Sequence, residues 1–163
     1  MKLRAARTKI KAPRALQTLL AKARTHGQKI VFTNGCFDLL HKGHVTYLES
    51  ARQLGDLLVL AVNSDASVKR LKGRTRPLNQ LSDRMDVLAA LEAVDYVTWF
   101  EQDDPVELIC QLKPHVLVKG VDWKPAQILG HAEMSSWGGK TSSLTYVPSR
   151  STKELIKKAK RAR

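Results

Sequence analysis

Cysteine, aromatic residues and long apolar runs are all scarce in this chain. Two cysteines, Cys36 and Cys110, stand in 163 residues with no CxxC pair, which argues against a disulfide scaffold and against a zinc ribbon. Aromatics make up 6%, so aliphatic side chains must fill the core of a chain whose length suits one domain. No run approaches the ~18 apolar residues of a membrane span, and no apolar segment follows the basic start as in a secretory leader. The expectation is a cytoplasmic protein with no membrane partner. Walker A and GxGxxG are missing as well, which removes the usual phosphate-binding loop and the dinucleotide fingerprint.

Charge is plentiful but uneven. The net value is +13, yet residues 1–30 hold nine Lys/Arg and no acid, and residues 150–163 hold seven Lys/Arg and one acid, Glu154. The middle holds twelve bases and fourteen acids, so the body is slightly acidic. The basic ends serve either solubility or attraction to a polyanion.

Residues 1–12 are basic and aperiodic and are expected to fray. Pro13 opens a helix to about Thr25, with Leu16, Leu19, Leu20 and Ala23 on one face and Gly27 as its stop. Residues 1–27 thus read as a basic extension with a helix, and residues 28–163 as the main domain. Strands are expected at about 29–34, 57–62, 96–100, 116–118 and 144–147. Helices are expected from near Val45 to Leu54, from an Asn63-Ser64-Asp65 cap to about Leu71, and from Leu81 or Ser82 onward. Further helices run from Pro105 to near Lys113, over about 125–136, and after Ser149-Arg150-Ser151-Thr152.

This alternation implies an α/β fold, a Rossmann-like doubly wound parallel sheet of about five strands. Ligands in such sheets bind beyond the carboxyl ends of the strands. The polar segments 35–44, 63–65, 119–122 and 149–152 each follow a strand, so four distant stretches should meet at one sheet edge.

The densest of them is Gly35-Cys36-Phe37-Asp38-Leu39-Leu40-His41-Lys42-Gly43-His44. It runs from a strand into a helix start, where unpaired N–H groups and the dipole attract anions. Gly35 and Gly43 let a phosphate approach the backbone, and His41 and His44, three apart, share a face. Asp38 either caps this turn or helps to hold a metal ion. A zinc pair would need a third ligand, and none stands at a recognisable spacing. Cys36 has no general base beside it and reads as a packed thiol. Cys110, His26, His115 and His131 acquire no role, and Trp123 and Trp137 either pack or lie near the base or sugar.

The segment resembles the cytidylyltransferase-like nucleotidyltransferase family, whose pattern is GxFDxxHxGH. The resemblance continues through Asn63-Ser64-Asp65, Leu71-Lys72-Gly73, Arg76-Pro77, Arg84, Val94-Asp95, Val118-Lys119-Gly120 and Arg150-Ser151-Thr152. These look like the branch that adenylylates D-glycero-β-D-manno-heptose 1-phosphate in the ADP-heptose pathway, here with no kinase domain ahead of it, which suggests a stand-alone form. The resemblance implies ATP and a sugar 1-phosphate as substrates, Mg2+ bound through nucleotide phosphates, and a homodimer.

It further implies catalytic roles for His41, His44 and Lys72. Gly35, Cys36, Phe37, Asp38, Gly43, Arg84, Lys119, Gly120, Asp122, Arg150, Ser151 and Thr152 would bind nucleotide, and Asn63, Asp65 and Arg76 the acceptor. Taken alone, Arg84 also fits an exposed surface arginine, and Lys72, Arg74 and Arg76 a solvated basic loop. Ser149 to Thr152 also fits a plain helix cap. Val121 and Trp123 depart from the family's Lys-Gly-Gly-Asp-Tyr, and Ser149 and Lys153 from its Gly-Arg-Ser-Thr-Thr. Base and sugar choice are touched by these changes more than reaction type. The alternatives are a cytidylyltransferase acting on glycerol 3-phosphate or a phospho-alcohol, and a non-catalytic module that binds nucleic acid through its basic termini.

Overall fold

Five strands line up in one sheet, and all of them run parallel. The computed structural model describes residues 5–120, 124–144 and 152–161. The strands are β1 (Ile30–Gly35), β2 (Leu57–Asn63), β3 (Tyr96–Phe100), β4 (Val116–Gly120) and β5 (Lys140–Leu144), in the spatial order β3-β2-β1-β4-β5. The helices are α1 (Pro13–Thr25), α2 (Lys42–Arg52), α3 (Asp65–Lys72), α4 (Leu81–Ala89), α5 (Val106–Leu112), α6 (His131–Ser136) and α7 (Thr152–Arg161). The doubly wound expectation holds. No helix among the described residues is long and apolar enough to cross a membrane.

Period-two alternation along the strands builds two cores. Val31, Leu58, Leu60, Val62, Val97 and Val118 face Tyr47, Leu48 and Ala51 of α2 and Leu88 and Ala89 of α4. Ile30, Phe32, Val59, Ala61 and Leu117 face the other way, onto Leu16 and Leu20 of α1, Leu108, Ile109 and Leu112 of α5, and Met134 of α6. Near-continuous apolar strands are the mark of a parallel sheet covered on both faces. Leu16 and Leu20 are fully buried, and each contributes about 1.5–3 kcal/mol by leaving water.

The chain runs outward from β1 to β2 to β3 and then returns to place β4 on the far side of β1. The switch point therefore lies between β1 and β4. Register shows how it opens. Pairing of β1 with β2 continues to Gly35 and Val62, whereas pairing of β1 with β4 is confined to Val31–Val116 and Phe32–Leu117. Beyond Phe32 the strands part and leave a crevice at their carboxyl ends.

Four local expectations change. Residues 5–12 do not fray: Ala6–Lys9 forms a 3-10 turn, and Ile10 bridges in parallel to Val97 on the outer edge of β3. Lys11 N–H donates to the Val97 carbonyl at 2.9 Å, and Arg7 pairs with Asp86 at 2.7 Å. An uncovered strand edge presents unpaired backbone groups, and this segment satisfies some of them.

Helix α2 starts at Lys42 rather than near Val45, with His41 as its N-cap. The helix expected over 125–136 is split, because Gly130 at φ +96° ends the Pro125–Gln127 turn before α6 begins. A Cβ at Gly130 would lie 3.0 Å from Ile109 Cδ1, so glycine also permits the close approach to α5. The last strand comes earlier than expected, at Lys140–Leu144. It is an edge strand with half-exposed side chains, so Lys-Thr-Ser-Ser carries no apolar signal and its pairing with β4 alone defines it. The expected residues 145–147 lie outside the described residues.

Candidate active site

A cleft of about 640 Å3 opens at the carboxyl ends of β1, β2 and β4. Its walls include Gly35, Cys36, Phe37, Asp38, His44, Asn63, Lys72, Arg76, Lys119 and Thr152. All four segments expected to converge contribute described residues to this wall. Asp122, Arg150 and Ser151, expected to bind nucleotide, lie outside the described residues, as does Trp123.

Because α2 begins at Lys42, both histidines stand in its first turn. His41 occupies the N-cap with extended backbone, and its side chain makes no capping bond. Its ring instead stacks on His44, with centroids 3.9 Å apart and planes at 25°. The ring of Phe37 tilts against His44 from the other side, at 5.2 Å. Phe37 itself has φ +46°, a left-handed conformation uncommon outside glycine. A Cβ on Gly35 would come 2.9 Å from that ring, so glycine at 35 lets the aromatic fold back over the strand end. Gly43 is buried within the same turn. Burial and then the neighbouring His41 push the His44 imidazolium down to about 4, so His44 is neutral at physiological pH.

Lys119 leaves β4 at the crevice, and its Nζ donates to Asn34 Oδ1 at 2.5 Å. Burial lowers its ammonium to about 8, against a smaller opposing effect of Cys36. Asn34 was missed by sequence reasoning, although a polar residue ending an apolar strand beside Gly35 was the available signal. Burial raises the Cys36 thiol above its usual range, with Lys72 and Arg84 pulling the other way, which agrees with a packed thiol that lines the cleft. Gly120 ends β4 beside Lys119. Thr152 opens α7, and its hydroxyl donates to the Leu39 carbonyl at 3.4 Å.

Arg84 is where the structure departs furthest from expectation. It is 2% exposed and is absent from the cleft wall, so neither the surface reading nor direct contact with phosphate fits. Its guanidinium donates to the carbonyls of Cys36 (2.5 Å), Asn63 (2.9 Å) and Asn79 (3.0 Å) and to Asp65 Oδ1 (2.8 Å). One side chain thus ties the ends of β1 and β2 to the loop before α4. Asp65, expected to touch the acceptor, is the carboxylate that balances this buried cation.

Asp38 answers the question left open between cap and metal ligand. Its Oδ1 accepts from the N–H groups of Leu78 (2.7 Å) and Asn79 (3.0 Å), and its Oδ2 pairs with Arg76 Nε at 2.6 Å. Both oxygens latch the basic loop against the β1 end. Among the described residues no group of three or more His, Cys, Asp and Glu could hold a metal ion. Asn63 is 3% exposed, its Nδ2 donates to Ser67 Oγ at 3.0 Å, and it lines the cleft floor. Lys72 ends α3, exposed at the rim. The arrangement is a cationic crevice with two stacked imidazoles and two helix starts, fit to hold a chain of phosphates.

Comparison with known proteins gives the same direction. A cytidylyltransferase-like family model matches residues 32–136. The bifunctional protein HldE of Hahella chejuensis is 53% identical over 146 residues, covering 90% of this chain and 31% of that protein. HldE of Enterobacter sp. strain 638 is 55% identical over 143 residues, covering 88% and 30% respectively. The chain therefore spans under a third of the length of these curated relatives. Among solved structures, the lipopolysaccharide core biosynthesis protein from Thermoplasma volcanium superposes with a TM-score of 0.61 at 26% identity, covering 74% of this chain and 98% of that one. Pantoate-beta-alanine ligase from Francisella tularensis, complexed with beta-gamma ATP and beta-alanine, gives 0.60 at 16% identity over 88% and 68% of the two chains. At that identity the likeness is one of fold alone.

Proposed function

The chain belongs to the cytidylyltransferase-like family, and on that basis we propose that it transfers AMP from ATP to D-glycero-β-D-manno-heptose 1-phosphate, releasing pyrophosphate. A phosphate oxygen of the sugar 1-phosphate attacks the α-phosphorus, and the bond from that phosphorus to the bridging oxygen of the β-phosphate breaks. No protein nucleophile is needed, so catalysis consists of alignment and charge stabilisation.

His41 and His44 donate to the α-phosphate as charge builds on it, and the first-turn amides of α2 add the dipole of the helix. Lys119 and the start of α7 at Thr152 meet the remaining phosphates. Lys72 and Arg76, on the basic loop and its approach, face the acceptor phosphate. Asp38 and Arg84 position these groups without touching substrate. Mg2+ would be held by the nucleotide's own phosphates and would supply charge neutralisation there. The chain has no described set of acids that would hold the ion, since Asp38 is occupied by Arg76 and two backbone amides.

The observation that carries this reading is the stacked His41–His44 pair in the first turn of α2, together with half-identity to HldE proteins over nine-tenths of the chain. A homodimer accompanies it on the strength of the family resemblance, and a cytoplasmic location and a division into residues 1–27 and 28–163 on the strength of the sequence pattern. Pyrophosphate release across ATP and CTP, each with heptose 1-phosphate and glycerol 3-phosphate, tests it. Turnover is expected with ATP and the heptose; turnover with CTP alone would sink the adenylyl assignment. Absence of turnover with every pair, with salt-dependent binding of nucleic acid in its place, would favour a binding module.

A further inference from the structure

Lys72, Arg76 and Lys119 bring positive charge to the cleft beside the neutral His44, and the Asp38 carboxylate that lines it is already held by Arg76 and two backbone amides. One other acid among the described residues lines it, Asp103, in the segment between β3 and α5. A carboxylate repels phosphate, so this residue cannot serve the nucleotide's phosphate chain. Its chemistry suits hydroxyl donors.

Asp103 is built into place. Arg70 of α3 donates Nε to Asp103 Oδ1 at 2.7 Å and a terminal nitrogen to the Glu101 carbonyl at 2.6 Å. Ser67, fully buried one turn earlier, donates its hydroxyl to the Gln102 carbonyl at 2.9 Å. Asp104 Oδ1 accepts from Val106 N–H at 3.0 Å, which closes the turn into α5. Helix α3 therefore fixes the segment from Glu101 to Asp103, and the same helix supplies Val68, Leu71 and Lys72 to the cleft wall. The second carboxylate oxygen of Asp103 has no protein partner among the described residues.

Position along the sheet gives the rest. The histidine pair follows β1, whereas Asp103 follows β3, two strands away in the order β3-β2-β1-β4-β5. Two strand spacings are about 10 Å, the span of a sugar ring extending from a phosphate seated at the histidines. Lys119, on β4, lies on the opposite flank.

We propose that Asp103 is the acceptor-recognition residue of this cleft, accepting hydrogen bonds from hydroxyls of the sugar whose phosphate lies beside His41 and His44. This rests on the sugar 1-phosphate adenylyltransferase reading above. It makes the segment between β3 and α5 the part of the protein that favours a polyhydroxylated acceptor over a short phospho-alcohol. The Arg70 pair is half-exposed and contributes little to stability, so the Asp103→Asn variant should fold.

The test is pyrophosphate release with ATP saturating and D-glycero-β-D-manno-heptose 1-phosphate varied, for wild type and D103N, alongside singly deoxygenated forms of the sugar phosphate. The acceptor KM should rise roughly 10- to 100-fold in D103N with the KM for ATP unchanged. At least one deoxygenated sugar should be used equally well by both proteins. An unchanged acceptor KM would overturn the assignment, and so would an equal loss with every acceptor, which reports a displaced loop. If wild type turns over ATP with no sugar 1-phosphate, the sugar reading itself fails and the role of Asp103 falls with it.

Discussion

The imidazoles of His41 and His44 stack at 3.9 Å between centroids, a separation that two full positive charges would oppose by about 4 kcal/mol at an effective dielectric of 20. An anion beside the pair would relieve that repulsion. In the proposed reaction phosphate is that anion, and the start of α2 carries both rings. Pre-alignment before the charge develops is what makes such donors effective.

Removing one of these donors should slow chemistry without unfolding the protein. His44→Ala is expected to lower kcat by about 10²-fold or more, with circular dichroism matching the wild type. A wild-type rate in that variant would exclude the histidine from the transition state.

Acid stability should follow the same residue. His44 is held near 4 by burial and then by His41, against an ordinary value of 6.5. Between those values the unfolded chain binds more protons than the folded one, so stability rises with pH across the window. The contribution is complete above pH 6.5 and is lost as the pH falls toward 4. Urea denaturation of wild type and His44→Gln at a series of pH values should show a steeper acid loss in wild type.

Lys119 predicts an alkaline limit. Its ammonium, lowered chiefly by burial to about 8, loses its charge just above physiological pH in the free protein. The kcat/KM for the nucleotide should therefore fall above about pH 8, whereas Lys119→Met should be low throughout and lack that limb. Identical alkaline profiles for the two proteins would show that another group titrates.

Arg84 separates positioning from binding. With four acceptors around one buried guanidinium, Arg84→Met should destabilise the fold by about 3–5 kcal/mol, read by chemical denaturation. A residue that bound phosphate directly would instead raise the nucleotide KM at unchanged stability.

Much of this molecule was legible before any coordinates. The apolar runs from Leu57 to Val62 and from Tyr96 to Phe100 are buried strands because burial on both faces leaves little choice of residue. The Pro13–Thr25 helix has a proline start and a regular apolar stripe, and it appears with those bounds. Strand β5 and the docking of residues 5–12 left no such trace. Both are made by backbone pairing at sheet edges, where nearly any side chain is accepted. The division of labour among polar residues was equally hidden. Asp38, Asp65 and Arg84 sit in segments that resemble binding motifs, yet each is held by other parts of the protein.

The residues themselves determined a parallel α/β sheet with its polar segments at the carboxyl edge, because hydrophobic periodicity and the run from Gly35 to His44 are local properties. Only the tertiary structure decided which charges face the cleft and which support it. Whether Arg84 meets a phosphate or a carbonyl depends on what folds around it, and its four partners come from three separate segments.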